Sequence, residues 1–549
     1  MYNDKIDGLS SDKVSLEKGE DATTHAAVVT DENYHFDEAD LDRVQRRLKQ
    51  RHVQMIAIAG TLGTGLFLGS GKALQQAGPL GALMTYALVG TVAYSALCSI
   101  GEMTAHAPVS GTFPHFASRW ADPALGFANY FYSNAITVPV EVTAAQILLT
   151  FWDSNTDHAP IYTAVICVCV CLINIFGVRW FGESEFFFSI IKILLITGLI
   201  ITGLVVDLGG GPDHDRIGFR YWNNPGALAQ SDLVAPDRVA TGRFLALLSV
   251  LIQAAFSFQG MELVAIAASE TESPRRNISK AVRRVFYRIL IFYMLGILMT
   301  GMLVPYNDPN LLSNVGNAAE SPYVIAFTRA GIKVLPSIIN AAIFTSAFSA
   351  GNSFLFCSSR ILYGLAVRGQ APKIFAYCTK NGLPIAAVLA ASAFAFLAFM
   401  NVQVTSETVF NWFTSLTTVA GFFTWGTINL TFIFFYRGKR AQGFDRKKSA
   451  YYSSLQPYLS YWGLFWCSFF ILINGFAVFF NFNASDFVVD YINIPIFFSL
   501  YFGYKIWKRT KFWKPQDMDF ITGIPSMEET EIPEVPPATF LEKVAAKLF

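Results

Sequence analysis

The sequence predicts an all-α polytopic membrane protein of about twelve transmembrane helices, and three observations predict it. Hydrophobic residues make up 53% of the 549-residue chain and charged residues only 15%, well below the roughly 25% charged that soluble domains average. Apolar stretches of about 18 or more residues recur from Val53 to near Trp507, each long enough to cross a ~30 Å hydrocarbon layer as a helix. Lysines and arginines collect in alternate loops between these stretches, as cytoplasmic loops do.

Residues 1–50 are polar and acidic without an apolar leader core, and read as a cytosolic N-terminal tail. Spans are expected near 54–80, 82–105, 125–152, 160–180, 186–206, 243–269, 285–305, 334–366, 383–401, 407–436, 459–480 and 486–506. They form a transmembrane domain over 51–512, followed by a cytosolic C-terminal tail over 513–549. Arg43, Arg46, Arg47, Lys49 and Arg51 precede the first span. With that end inside, the alternate loops should be basic, and they carry Arg275, Arg276, Lys280, Arg283 and Arg284, then Arg368, Lys373 and Lys380, then Arg437, Lys439, Arg440, Arg446, Lys447 and Lys448. Lys505, Lys508, Arg509, Lys511 and Lys514 continue the rule, so both termini are expected in the cytosol. The opposite loops 151–160 and 481–485 contain no Lys or Arg, and the long loop 207–242 is a mild exception with Arg216, Arg220 and Arg238.

A net charge of +1 with no concentrated basic face argues against a nucleic-acid partner. Cys98, Cys167, Cys169, Cys171, Cys357 and Cys467 fall in apolar spans and read as packing residues; the 167/169/171 spacing points in different directions on a helix and implies no metal site. No zinc motif or Ser-His-Asp grouping has supporting context, so an enzyme is not expected.

The first span carries Gly60-Thr61-Leu62-Gly63-Thr64-Gly65, then Gly69 and Gly71. Each glycine costs about 1 kcal/mol relative to alanine in a helix, so the cluster marks a helix that is broken or closely packed. Unwound backbone at membrane depth survives only where it lines a cavity or is buried in protein. Small-residue helix packing is the alternative reading. A dinucleotide loop lacks the strand it needs. Five spans later comes Phe256-Ser257-Phe258-Gln259-Gly260-Met261-Glu262. Two interrupted helices in corresponding positions of two halves point to a transporter site built on inverted repeats. Free N–H groups at such breaks suit an anion and exposed carbonyls suit a cation. A free amino acid presents both.

Ionisable groups inside spans mark ion or substrate pathways by default. Glu262 lies beside the second break, Lys192 in the fifth span and Glu141 in Val138-Pro139-Val140-Glu141. The alternatives are a carboxyl bonded to a neighbouring helix for Glu262 and an ammonium snorkelling to the interface for Lys192. Glu102, in Gly101-Glu102-Met103, reads as a structural or gating contact near a cytosolic helix end. Phe256 and Phe258 stand at the break, where a ring can cover a ligand.

These motifs resemble those of the fungal amino acid permeases of the amino acid/polyamine/organocation superfamily. The matching residues include Arg51-His52-Val53-Gln54-Met55-Ile56-Ala57, residues 60–67, Gly101-Glu102-Met103, Pro108-Val109-Ser110-Gly111, residues 256–262, Ser358-Ser359-Arg360, Tyr363-Gly364-Leu365 and Ala371-Pro372-Lys373. The resemblance implies a LeuT-type fold of two inverted five-helix repeats plus two extra helices, proton-coupled uptake at the plasma membrane, and no cofactor. It places Gly60, Thr61, Gly63, Thr64 and Gly65 on the substrate carboxylate, and Phe256, Ser257 and Phe258 on the amino group and an aromatic gate. Glu262 matches the family's coupling carboxylate, and Lys192 a fifth-helix lysine standing where sodium binds in sodium-coupled relatives.

Specificity is expected to involve Glu141 and Gln259. Gly209-Gly210-Gly211-Pro212-Asp213-His214-Asp215-Arg216-Ile217-Gly218-Phe219-Arg220-Tyr221-Trp222 and Tyr306-Asn307-Asp308-Pro309 look like the dicarboxylic amino acid permeases, and recur in broad-range ones. The dicarboxylic pattern tends to be uncharged where Glu141 stands, which favours neutral or broad-range substrates. A non-transporting amino acid sensor is the competitor from another class; such sensors tend to carry a much longer N-terminal domain. Lys5, Lys13 and Lys18 resemble sites used by ubiquitin-ligase machinery, with a solvated disordered tail as the alternative.

Overall fold

The computed structural model describes residues 60–527 apart from 110, 129, 154, 177, 213, 272 and 312–320, together with Leu48, Val53, Met55, Ile56 and Glu531. The tail lysines Lys5, Lys13 and Lys18, the basic residues Arg43, Arg46, Arg47, Lys49 and Arg51, the motif residues His52, Gln54, Ala57, Ser110 and Asp213, and the final segment 532–549 lie outside the described residues.

Helices fill the expected spans in order. The first span resumes after its glycine break as α1 (Thr64–Phe67) and runs into α2 (Gly69–His106). Gly78, at φ +74, turns α2 sharply before Pro79, so spans one and two join without a loop. A Cβ on Gly78 would lie 2.7 Å from the Ala229 nitrogen, so glycine is needed for both conformation and space. Then come α3 (Thr112–Trp120), α4 (Pro123–Ala128), α5 (Tyr130–Leu149), α6 (Ala159–Ile175) and α7 (Val178–Asp207). The sixth span is α8 (Val239–Ser249), α9 (Leu251–Phe258) and, past a break, α10 (Leu263–Ser269). The rest are α11 (Pro274–Leu303), α12 (Pro322–Arg329), α13 (Leu335–Val367), α14 (Ile385–Ala395), α15 (Ser406–Ala441), α16 (Tyr458–Ile473), α17 (Ala484–Tyr491) and α18 (Asn493–Lys508).

Among the described residues seven helical stretches are long and apolar enough to cross a bilayer, and α17 with α18, bent by 41°, make an eighth. α6 and residues 289–303 of α11 are shorter apolar helices. The third span, α4 with α5, is more polar because nearly all of α5 is buried between α13 and α15 and little of it meets lipid. With the broken first span these account for the twelve expected stretches. Breaks in spans one and six, five spans apart, divide the first ten spans into two inverted repeats and leave α16 to α18 as the two additional spans.

α7 shows how burial is reversed in such a fold. Trp180, Phe187, Leu194 and Ile201 repeat every seven residues and are exposed, a stripe fit for lipid. Glu185, Ser189, Lys192 and Ile196 share the opposite, fully buried face.

The basic loops gather at one end. Arg446 donates to both oxygens of the fully buried Glu102 at 2.5 and 2.9 Å, the helix-end contact expected for that carboxylate. Arg368 donates to His115 Nδ1 at 2.5 Å. Residues after α18 lie along this same end. Arg119 Nε and Trp120 Nε1 both donate to the Asp519 carbonyl at 2.9 Å, Trp513 Nε1 donates to Ser118 O at 2.8 Å, and Arg275 donates to Ser526 O at 3.0 Å. Met518 and Phe520 are buried here.

Candidate functional site

The two breaks lie side by side. Helical backbone is interrupted at Leu62 and Gly63, and again at 259–262, where Gly260 takes φ +89. A Cβ on Gly260 would stand 2.6 Å from Gly60 O, and one on Gly65 would stand 2.7 Å from Ser257 Cα. The glycines therefore do two things that the sequence left as alternatives: they break the helix and they let two backbones touch. The Tyr293 hydroxyl sits between the breaks, 2.7 Å from Thr61 O and 2.5 Å from Ser257 O, and its single proton bridges both carbonyls. Ser346 Oγ donates to Leu62 O at 2.6 Å, which fixes the unwound turn against α13.

Glu141, from the middle of α5, reaches this turn. Its carboxylate accepts from Thr64 Oγ1 at 3.1 Å and faces the Thr64 backbone N–H. A Cβ on Gly63 would lie 2.9 Å from its other oxygen. An anion thus sits at the start of α1, where first-turn N–H groups have no partner within the helix.

Lys192 is fully buried, which rules out snorkelling. The charges of two carboxylates, Glu185 and Glu141, act on its ammonium. Glu185 is fully buried and accepts from Ser349 Oγ and Asn352 Nδ2, both at 2.6 Å. Asn352 Oδ1 in turn accepts from Asn174 Nδ2 at 2.6 Å. Sequence reasoning missed Glu185 because the fifth span was drawn from 186. The signal was present, since Glu185, Ser189 and Lys192 at i, i+4 and i+7 share one helix face.

The remaining predicted residues part company. Phe256 borders a cavity with Lys72, Gln253, Phe410 and Asn411, and Lys72 donates across that cavity to Asn411 Oδ1 at 3.1 Å. Phe258, two residues on, points away and packs at a tilt against Tyr293 and Tyr86, at centroid distances of 4.6 and 6.2 Å. The Phe256 carbonyl accepts from Gln259 N at 3.3 Å. Gln259 turns to α15 and donates to Thr417 O at 2.5 Å. Glu262 also faces α15, accepting from Trp425 Nε1 at 3.1 Å. So the structure brings Gly60, Thr61, Gly63, Thr64, Gly65 and Ser257 together with Glu141 and Lys192, and it directs Phe258, Gln259 and Glu262 elsewhere.

Towards the basic end, Phe181 and Phe356 stack at 4.1 Å, and the Arg360 guanidinium lies 4.4 Å from the Phe356 ring. Arg360 pairs with Glu270 at 2.8 Å. Among the described residues no group of three or more His, Cys, Asp or Glu side chains is arranged to hold a metal ion.

The family described as amino acid permease matches residues 52–517. The chain is 42% identical over 515 residues to the proline-specific permease of Emericella nidulans, covering 91% of this chain and 92% of the relative. It is 41% identical over 489 residues to the dicarboxylic amino acid permease of Saccharomyces cerevisiae, covering 87% and 80%. It is 38% identical over 492 residues to the general amino-acid permease GAP1 of the same yeast, again covering 87% and 80%. In fold it is similar to the manganese transporter of Eremococcus coleocola, with a TM-score of 0.51, 12% identity, and coverage of 86% of this chain and 98% of that one.

Proposed function

The chain belongs to the amino acid permease family, a family of multi-pass membrane transporters and not of enzymes, and from that premise we propose that it imports L-amino acids across the plasma membrane by symport with protons. Neutral or broad-range amino acids are the substrates in this reading, and both termini lie in the cytosol. The observation that carries it is the contact between the two helix breaks beside a fully buried lysine. The breaks offer backbone N–H and carbonyl groups to an amino acid's two charges. An ammonium built into the protein fills the place of a bound cation, which supports protons as the coupling ion.

In this reading Gly60, Thr61, Gly63, Thr64 and Gly65 receive the carboxylate, Ser257 and the end of α9 receive the amino group, and Phe256 closes the outer cavity. Glu262 and Lys192 serve proton coupling. Driving one positive charge through ~100 mV contributes about 2.3 kcal/mol, near 50-fold accumulation before any pH gradient. Likeness to a dicarboxylic permease keeps glutamate and aspartate as the second reading. Glu141 weighs against it, because a buried carboxylate beside the site repels the additional side-chain carboxylate that a dicarboxylic amino acid carries. In a tail outside the described residues, Lys5, Lys13 and Lys18 are proposed for ubiquitination; replacing all three with arginine is expected to slow removal from the surface on nitrogen-rich medium.

The test is uptake of radiolabelled proline, leucine, glutamate and arginine by a yeast lacking its major amino acid permeases, at acidic and neutral pH, with and without an uncoupler. Uptake that needs external acid and fails with uncoupler is the expected result. Uptake indifferent to both overturns proton coupling, and glutamate as best substrate overturns the neutral or broad-range assignment.

A further inference from the structure

Glu185 is a buried titratable group that the proposed function leaves without a task. It lies two turns from Lys192 on the same face of α7, on the side of the basic end. Its oxygens are held by Ser349 and Asn352, and the Asn174–Asn352 bond behind them fixes the amide that donates. That shell of donors holds the carboxylate in place on the buried face of α7 that also carries Lys192.

The cluster is also unbalanced. Two carboxylates and one ammonium, all sealed from water, leave one negative charge too many, and an isolated charge in a low-dielectric interior is strongly disfavoured. One extra proton makes the trio neutral. The other titratable groups facing it are Tyr293 from α11 and Cys357 from α13; neither is a cation, so neither supplies the missing positive charge.

We infer that Glu185 is the inner proton carrier of the transport cycle, receiving through Lys192 the proton that Glu141 takes up beside the substrate turn. The transfer balances: the Lys192 ammonium gives a proton to the Glu185 carboxylate, and the Glu141 carboxylic acid restores the ammonium. One proton has moved from Glu141 to Glu185, and Lys192 is unchanged. In the state described here the stacked rings of Phe181 and Phe356 and the Arg360–Glu270 pair stand between Glu185 and the basic end. Opening of that end releases the proton after the substrate site has lost access to the outside. This inference rests on the proton-coupled reading above.

The test compares wild type with Glu185→Gln, using L-proline or whichever amino acid of the panel is taken up best. Two readouts are taken: accumulation driven by external acid, and counterflow exchange of labelled for unlabelled amino acid, which needs no net proton movement. The expected result is accumulation reduced by about tenfold or more with counterflow within about threefold of wild type. Acid-driven accumulation unchanged in Glu185→Gln overturns the inference. Loss of both readouts in proportion, with the protein at the surface, also overturns it, since that marks a structural role. If Glu185→Gln does not reach the surface, Glu185→Asp decides: a displaced pH profile of accumulation supports the inference, and a wild-type profile overturns it. Wild-type uptake that ignores pH and uncoupler removes the symport reading itself, a separate failure visible without any variant.

Discussion

Glu262 and Glu185 are both carboxylates buried inside the membrane domain, and their surroundings differ in kind. Glu262 stands at the break of the sixth span and accepts from a neutral indole N–H on α15. Glu185 stands within a continuous helix, accepts two short hydrogen bonds from α13, and shares a buried helix face with an ammonium. Glu262 is placed to report the position of span six against α15. Glu185 is placed to change the charge of a cluster. Coupling a proton to a substrate needs both, a charge that comes and goes and a joint that moves with it. In the proposed reading the two carboxylates divide those tasks.

The most severe way to break this division is to remove the cation. Lys192→Met leaves Glu141 and Glu185 buried without their counter-charge, and breaking a buried pair in this way costs about 3–5 kcal/mol. Uptake and counterflow are both expected to fall by about 100-fold or more, with less protein at the surface. Near-normal counterflow in Lys192→Met would show that the cluster does not need its ammonium. Glu262→Gln comes next. It keeps an acceptor for Trp425 Nε1 and is expected to abolish concentrative uptake while the protein remains folded and at the surface. Intact accumulation in that variant removes Glu262 from coupling and leaves the task to the cluster. A Glu185→Gln, Glu262→Gln double variant sharpens the contrast: residues on one route give a double variant no worse than the weaker single one.

Gly65→Ala tests the joint without touching any charge. Its added methyl meets Ser257 backbone at 2.7 Å, where no side chain can move aside. Overpacking of this kind costs about 1–3 kcal/mol. Uptake at low substrate concentration is expected to fall by about tenfold, with the pH dependence of the remaining uptake unchanged. A shifted pH profile would tie the backbone contact to the proton path after all.

Most of the architecture was legible because its causes are local. Long apolar runs between basic loops gave the spans, and the clustered glycines Gly60, Gly63 and Gly65 with Gly260 five spans later gave the breaks, since each glycine weakens a helix and two matched clusters point to paired interruptions. The site was legible only where chemistry coincided with a break. Phe256 and Phe258 looked equivalent, yet residues two apart on a helix face in nearly opposite directions, and only the packing of Tyr86 and Tyr293 tells which ring borders the cavity. Glu185 fell one residue outside a span whose start was set by hydropathy, although the helix begins at Val178. The segment after α18 was read as a tail because Trp513, Met518 and Phe520 are scattered among polar residues with no period, and its anchors Arg119 and Arg275 are hundreds of residues away.

Trp425→Phe probes the weakest link in the comparison. Phenylalanine fills most of the same space and removes only the N–H that reaches Glu262 at 3.1 Å. A hydrogen bond of this type contributes about 1 kcal/mol net, equivalent to about fivefold in an equilibrium. If Glu262 acts through the position of span six against α15, the variant lowers accumulation by about that factor and leaves counterflow in place. If Glu262 belongs instead to the charge cluster, loosening its only α15 donor alters the pH at which accumulation is half-maximal, as Glu185→Asp does. Measuring the pH profile of Trp425→Phe beside that of Glu185→Asp separates the two, because a joint that slackens changes the amount of uptake at every pH, whereas a displaced proton site changes where along the pH axis uptake begins.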